Sequence, residues 1–448
     1  MGIFKAYDIR GIFPDPLGPE DARRIGSAVA RHLLPGGARG EIAVGWDARE
    51  SSPVLRDALL EGIAAEGAGA VALGAVATPI LYFAVDHHEL AGGVMVTASH
   101  NPAEYNGFKI CGPNAVPIGE ASGLRDVERL AKQPGRRADA PGALRDVDPV
   151  PAYVEHLLPH AGSPAPLSAA IDCGNGMAAV ALEPLLDRLP LEVERLYFEP
   201  DCTFPNHPAD PLEVENLRDV AEAVRRRGCH FGVAFDGDAD RACFVDERGE
   251  PVSSDLVTAL LARAELRRHP GGRVLYDLRS SRATAEAIEA AGGVAEMCRV
   301  GHSFVKQQMR ETGAVFAGEL SGHFYFRFSE TLVADDALAA LLAMVDVLSR
   351  EGRPLSERVA PLRRYAASGE ISRPVADPPA FLAEVEADHA GAEEISHLDG
   401  LLVRYPDWWF NLRPSNTEPV VRLNLEADSP ERMQVERDRI LARMEAAG

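Results

Sequence analysis

Gly93-Val94-Met95-Val96-Thr97-Ala98-Ser99-His100-Asn101-Pro102, continuing to Asn106-Gly107-Phe108-Lys109, is the stretch that decides how this chain folds. Four apolar residues have the length and composition of a buried strand, and the turn dipeptides Asn101-Pro102 and Asn106-Gly107 break it. Ser99 therefore stands just past a strand, where α/β proteins tend to place chemistry. With His100 beside it, the segment reads either as an exposed nucleophile or as local turn capping. The same grammar recurs at Glu41-Ile42-Ala43-Val44, Ala169-Ala170-Ile171-Asp172 and Arg273-Val274-Leu275-Tyr276, each followed by a Gly- or Ser-containing turn and an Ala-rich helical stretch. Repeated βα units imply mainly parallel sheets covered by helices.

A second segment, Asp236-Gly237-Asp238-Ala239-Asp240-Arg241, sets three carboxylates on alternate residues, so that they can converge from one side of a turn. Carboxylates are hard ligands suited to Mg²⁺ or Ca²⁺, and no His or Cys stands among them to suggest zinc. An EF-hand fails because Arg241 occupies the position that needs Gly, and because the strand-like runs Phe231–Phe235 and Ala242–Val245 replace the flanking helices. A metal loop between strands and a solvated acidic turn are the readings left.

Taken together, the chain resembles the α-D-phosphohexomutase family, and within it the bacterial phosphomannomutase/phosphoglucomutase group. The resemblance runs from Ala6-Tyr7-Asp8-Ile9-Arg10-Gly11 and Gly45-Trp46-Asp47-Ala48-Arg49, with Ser51-Ser52-Pro53, through the serine and aspartate loops. It continues in order with Gly301-His302-Ser303, Glu319-Leu320-Ser321-Gly322-His323 and Arg413-Pro414-Ser415-Asn416-Thr417-Glu418-Pro419. It implies three topologically similar mixed-sheet α/β domains and a smaller C-terminal α+β domain around a central cleft. Pro- and Asp-rich breaks near 134–151, 246–255 and 366–379 place these domains at 1–148, 149–250, 251–366 and 367–448. In the last, Val420–Glu426 alternates as a half-exposed strand should, and Pro430–Ala447 reads as an amphipathic helix.

The resemblance implies an enzyme that interconverts hexose 6-phosphate and hexose 1-phosphate, mannose or glucose, through a hexose 1,6-bisphosphate. Ser99 would be the phosphoserine, with Asp236, Asp238 and Asp240 holding Mg²⁺ against it. His100 would orient the phosphoserine, with Arg10 and Arg241 nearby. Of Lys109 and His302, Lys109 is favoured as general base, provided that cations such as Arg10 lower its pKa. Tyr7, Arg279, Gly301, Glu319, Ser321 and His323 would meet the sugar phosphate, Glu319 and Ser321 gripping vicinal hydroxyls. Arg413, Ser415, Asn416 and Thr417 would clamp the phosphate that is not reacting. Arg279 stands where Lys is frequent in related mutases, and Ala239 where Gly is common. A phosphoglucosamine mutase and a Ser-dependent metal phosphatase are the alternatives, the second lacking the spacing of a two-zinc His/Asp site.

Composition agrees. At 448 residues the chain is about three domains' worth. Its net charge of −22 argues against nucleic acid or an anionic membrane as partner, so an anionic substrate needs cations gathered locally, and Arg10, Lys109, Arg241, Arg279, Arg413 and Arg422 lie in or beside the motifs. A basic cleft in an acidic protein follows. Six cysteines without CxxC spacing fit a reducing cytoplasm, and the start at Lys5-Ala6-Tyr7-Asp8 shows no signal peptide. The uncharged stretch Gly67–Val85 reads as a strand, a turn and a helix capped by Thr78 with Pro79 at its first position, not as a membrane span. A monomer or homodimer acting on small sugar phosphates is expected.

Overall fold

The structure, a computed structural model, describes residues 2–136, 138–415 and 420–448. Asn416 and Thr417 therefore lie outside the described residues. In the first sheet the central strand Glu41–Trp46 runs parallel to Gly69–Ala75 on one side and Gly92–Val96 on the other. Gly92–Val96 then pairs antiparallel with Tyr105–Cys111, and that strand with Ile9–Ile12. Leu144–Asp146 is added in parallel at the far edge.

The second sheet repeats this plan. Leu167–Asp172 lies between parallel Leu191–Leu196 and Phe231–Phe235, followed by antiparallel Ala242–Val245 and Pro251–Val252. The third repeats it again, with Arg273–Asp277 between Val294–Cys298 and Phe316–Gly318, then Phe324–Arg327 and Val333–Asp335. In each sheet, the turn where parallel pairing gives way to antiparallel carries one of the motifs: residues 97–104, 236–241 and 319–323. Three copies of one architecture thus aim three chemically different turns. Pro251–Val252 pairs with Ala242–Val245 and so belongs to the second sheet.

The fourth sheet is wholly antiparallel, in the order Ala366–Ala367, Val420–Ala427, Trp408–Pro414, Leu401–Arg404, Glu394–Ser396, with Ile371–Pro374 also pairing on Val420–Ala427. Helices Pro378–Asp388 and Pro430–Ala446 accompany it, capped by the side chains of Asp377 and Ser429. Val420–Ala427 is not half-exposed as its alternation suggests. Leu423 through Ala427 are all buried, because Glu426 accepts from Trp409 and Arg282 and Asn424 faces Glu370.

One apolar cluster runs from Ala43 to Leu362 through the first three units, with helix Ala337–Glu351, apolar on every face over most of its length, at its centre. The fourth unit has its own cluster, Val375 to Met444. Its contacts with the third include Arg282 to Glu426 at 3.1 Å and to Asp428 at 2.7 Å. Among the described residues no helix is long and apolar enough to cross a membrane. Gly67–Val85 folds as strand Gly69–Ala75 and helix Thr78–His87.

Candidate active site

Ser99 leaves its strand with φ = +53°, a left-handed conformation that a non-glycine residue adopts at a cost of about 1–2 kcal/mol. The conformation is held by an arginine whose role the sequence did not disclose. Arg49, fully buried, donates through Nη2 to the carbonyls of Ser99 and Asn101 (both 2.8 Å) and through Nη1 to those of Pro102 (2.6 Å) and Tyr105 (2.9 Å). Its Nε rests on Asp47 Oδ2 at 3.0 Å, and Ser52 Oγ donates to the other oxygen of Asp47 at 2.5 Å. The signature Asp47-Ala48-Arg49 with Ser51-Ser52 is therefore a scaffold for the serine loop, and the Asp-x-Arg spacing was its only signal.

The second unit brings its turn directly onto this loop. A Cβ at Gly237 would come within 2.5 Å of the Ser99 carbonyl, so the approach requires glycine. Ser99 Oγ donates to Asp236 Oδ2 at 2.9 Å and lies 3.1 Å from His100 Nδ1. Asp236 also accepts from the backbone N–H groups of Asp240 and Arg241 and, at 3.0 Å, from Arg241 Nε. Ala239, at φ = +60°, holds the left-handed position where glycine would be unstrained. The three carboxylates are buried and their ligand atoms lie within 4.8 Å of one another. Asp238 Oδ1 accepts no hydrogen bond among the described residues, and Asp240 Oδ1 faces His323 Nε2 at 3.4 Å. Burial and the charge of Asp240 push Asp236 above the usual carboxylate range, the mark of carboxylates crowded together away from water. An all-oxygen donor set with free buried lone pairs fits Mg²⁺.

Two further groups reach this cluster from the first unit. Thr78, read as a helix cap, is instead the first helical residue, with Ala77 as cap. Its hydroxyl donates to Asp238 Oδ2 at 2.5 Å, a partner 160 residues away. Lys109 Nζ donates to Asp238 Oδ2 at 2.6 Å and to Asp240 Oδ2 at 2.5 Å. The expected lowering of the Lys109 pKa is thus reversed. Burial and Arg10 work to lower it, but the facing charges of Asp238, Asp240 and Asp236 outweigh them and raise it. His302, by contrast, is held neutral, well below its ordinary pKa, by burial and the charges of Lys306 and Lys109. His100 is likewise held neutral by burial and by the guanidiniums of Arg241 and Arg10. Arg10 spans Asp8, at 2.8 Å, and Asn101 of the serine loop.

The third turn closes on the second through a bridge between His323 and Arg241, with Ala242 N–H donating to the Gly322 carbonyl at 3.0 Å. His323 Nε2 stands 3.4 Å from Asp240 Oδ1, and Ser321 Oγ lies 2.9 Å from His323 Nδ1. Glu319 does not point outward with Ser321: it is buried, accepting from Gly301 N–H at 2.7 Å and from the Tyr325 hydroxyl. Tyr7 lies edge-on to His302, ring centroids 5.7 Å apart, and lines a cavity of about 1620 Å³ whose other walls include Pro117, Ser122, Arg299 and Phe304 and no residue of the serine, aspartate or 319–323 turns.

Comparison with known proteins agrees with this geometry. Residues 1–135, 151–249 and 253–365 match the family descriptions "Phosphoglucomutase/phosphomannomutase, alpha/beta/alpha domain" I, II and III, and residues 370–443 match its "C-terminal domain". A protein of Xanthomonas campestris pv. campestris (strain B100) described as "Phosphohexose mutases" is 40% identical over 431 residues, covering 95% of each chain. The chain belongs to the phosphoglucomutase/phosphomannomutase family. A Pseudomonas aeruginosa phosphomannomutase/phosphoglucomutase is 36% identical over 96% of this chain and 93% of its own. A solved family structure from Burkholderia thailandensis is 33% identical, with a TM-score of 0.90 over 99% of this chain and 97% of that one.

Within this mutase-family chain, the remaining candidates lie at the fourth unit. Arg279 is fixed by Asp277, with Nη2 to Oδ2 at 2.7 Å and Nε to Oδ1 at 3.2 Å, and turns its Nη1 towards Glu370 at 3.6 Å. Arg413 also faces Glu370, at 3.6 Å, and Asp399 at 3.9 Å. Ser415 follows it at the strand end, half-buried. At the 319–323 turn the structure assembles a group that no spacing announced: Asp240, His323 and Asp335, with Asp335 paired to the buried Lys306 at 2.8 Å.

Proposed function

We propose that this family member is a phosphohexomutase that interconverts hexose 6-phosphate and hexose 1-phosphate through a phosphorylated Ser99 and a hexose 1,6-bisphosphate. The observation that carries the proposal is the contact of Ser99 Oγ with Asp236 at 2.9 Å, which joins a backbone-strained hydroxyl to a buried three-carboxylate turn from another unit. Mg²⁺ held by Asp236, Asp238, Asp240 and the phosphoserine would supply positive charge to the oxygens of the transferring phosphoryl group. In the first half-reaction the Ser99 Oγ–P bond breaks, a bond forms from phosphorus to the sugar hydroxyl oxygen, and that hydroxyl loses its proton. The second half returns the other phosphoryl group to Ser99.

The chain's own side chains divide the remaining work. Arg10, Lys109 and Arg241, all cations near the serine loop, face the phosphoryl group and offset its charge. Lys109 and His302 are the two candidates for general base: Lys109 lies on the carboxylates that would hold Mg²⁺, and burial with the charges of Lys306 and Lys109 keeps His302 neutral. His100 stays neutral and orients Ser99 Oγ. Tyr7, Gly301, Ser321 and His323 line the sugar side, with Glu319 bracing Gly301 and Arg279 reading the far side. Arg413, Ser415, Asn416 and Thr417 grip the phosphate that is not reacting. The four units act as 1–148, 149–250, 251–366 and 367–448.

Six buried, unpaired cysteines support a cytoplasmic enzyme. A coupled assay of hexose 1-phosphate conversion, run with and without a hexose 1,6-bisphosphate, tests the proposal. Bisphosphate-stimulated isomerisation supports it, and release of inorganic phosphate without isomerisation would refute it.

A further inference from the structure

Arg413 and Arg422 stand directly opposite each other on neighbouring strands of the fourth sheet. Like charges in that register repel unless an anion lies between them. The chain supplies one. Glu370 Oε1 accepts from Arg422 Nη1 at 3.3 Å, its Oε2 lies 3.6 Å from Arg413 Nη2, and Asn424 Nδ2 donates to the same oxygen at 3.4 Å. Arg279 of the third unit adds a third guanidinium, its Nη1 at 3.6 Å. Three guanidiniums and an amide around two oxygens is a cage shaped for an anion with more oxygens and more charge than a carboxylate.

Two details show how loosely the carboxylate is held. Arg279 grips Asp277 at 2.7 Å, whereas every contact of Glu370 in the cage is 3.3 Å or longer. The Glu370 side chain is also 27% exposed, on the connector between the third and fourth units, just after Gly369 at φ = +68°. Nε of Arg422 is buried without a hydrogen-bond partner among the described residues, and Nε of Arg413 faces Asp399 at 3.9 Å without a hydrogen bond, so donors of the cage are not saturated.

We propose that Glu370 is a resident stand-in for phosphate: its carboxylate occupies the guanidinium cage of Arg279, Arg413 and Arg422, and an incoming phosphoryl group displaces it. The proposal rests on the reading of Arg413 as part of the phosphate grip. A phosphate dianion brings two charges and several oxygens in exchange for one charge and two oxygens, so the exchange is favourable. Released, the carboxylate swings to solvent at the joint between the two units, which ties phosphate arrival to the position of the fourth unit. Because every anion must displace the same occupant, Glu370 lowers the apparent affinity for all of them by one common factor.

Calorimetric titration of the full chain with inorganic phosphate and, separately, with sulfate tests this. Glu370→Gln removes the charge and Glu370→Asp withdraws it by one methylene. Both variants are expected to bind each anion more tightly, Glu370→Gln by about tenfold and by the same factor for both anions. Glu370→Gln should melt lower than the parent in phosphate-free buffer yet gain more from added phosphate. If both variants bind phosphate as the parent does or more weakly, while Arg413→Ala abolishes binding, Glu370 only props the arginines and the proposal falls with the grip intact. If Arg413→Ala leaves phosphate binding unchanged, the grip itself is misplaced.

Discussion

The junction between the first and second units and the junction between the third and fourth are both built from charged side chains, but they are built to opposite tolerances. At the first, Ser99, Lys109, Asp236, Asp238 and Asp240 are at most 8% exposed, and Ser99 and Lys109 meet these carboxylates at 2.5–2.9 Å, beside a continuous apolar core. At the second, Arg282 holds Glu426 and Asp428 at 3.1 and 2.7 Å, but the cage side chains Arg279, Arg413, Arg422 and Glu370 are 8–31% exposed, the arginines meet Glu370 at 3.3–3.6 Å, and the apolar clusters on the two sides are separate. Low local stability belongs where parts must move, and preorganisation where charge develops. On the proposed function, the molecule fixes the end that would react and leaves adjustable the end that would hold.

If that contrast is right, the largest loss follows from Ser99→Ala. Mutase turnover should fall by roughly a thousandfold or more, because the other hydroxyl at the carboxylate turn, that of Thr78, is fully buried on Asp238. Intact-mass analysis of the parent should show a phosphorylated fraction that the variant lacks. Near-normal turnover of the variant with a bisphosphate activator present would break the comparison at its fixed end. Asp238→Asn should come next, lowering turnover ~100-fold together with Mg²⁺ affinity, since the residue gives up the charge that Lys109 and Thr78 engage. A rate whose metal dependence did not change would remove Asp238 from the metal set.

At the adjustable end, Arg413→Ala should raise KM by about ten- to a hundredfold and change kcat less, the signature of binding shared by ground and transition states. A pure loss of kcat would move Arg413 to the reacting end. Sugar preference sharpens the contrast further. A bisphosphate that turns over in the site must be accepted in two orientations, so kcat/KM for mannose and glucose phosphates should agree within about ten- to a hundredfold. A gap of many thousandfold would make Arg279, fixed rigidly by Asp277, a reader of the 2-hydroxyl.

The smallest effect is on stability. Burial, together with His160 and His87, holds His156 down to about 4. Unfolded, it titrates near 6.5, so below that pH the unfolded chain takes up a proton that the folded one refuses. Stability is therefore complete above about pH 6.5 and declines as the pH falls towards 4. His156→Phe keeps a ring between Phe83 and Phe328 and should flatten that slope in melting temperatures taken from pH 7 to pH 4.5.

What the sequence disclosed was what is contiguous. Ser99-His100 and Asp236 to Arg241 announce their chemistry because strand, turn and ligand lie in one window. The strands around them fall where the apolar runs end. What stayed hidden depends on partners distant in the chain. Thr78 looks like a cap because its local sequence is that of a cap, while its hydroxyl is taken by Asp238. Lys109 looks tunable downwards beside Arg10 until three carboxylates are seen facing it. Asn424 and Glu426 look solvent-facing in an alternating strand, and only the fold brings Glu370 and Arg282 over them. Glu319 carries the right carboxylate for a sugar but spends it on Gly301 and Tyr325.

The left-handed backbone at Ser99 has a meaning for which amino acid can be the phosphate carrier. Threonine offers the same hydroxyl and the same phosphoester chemistry, but its branched Cβ is poorly tolerated at φ near +53°, where four carbonyls fastened to Arg49 leave the main chain no room to relax. If Ser99 carries the phosphate as proposed, the identity of the nucleophile is written by the main chain as much as by the reaction. A kinase-like tolerance for either hydroxyl amino acid is closed to this loop.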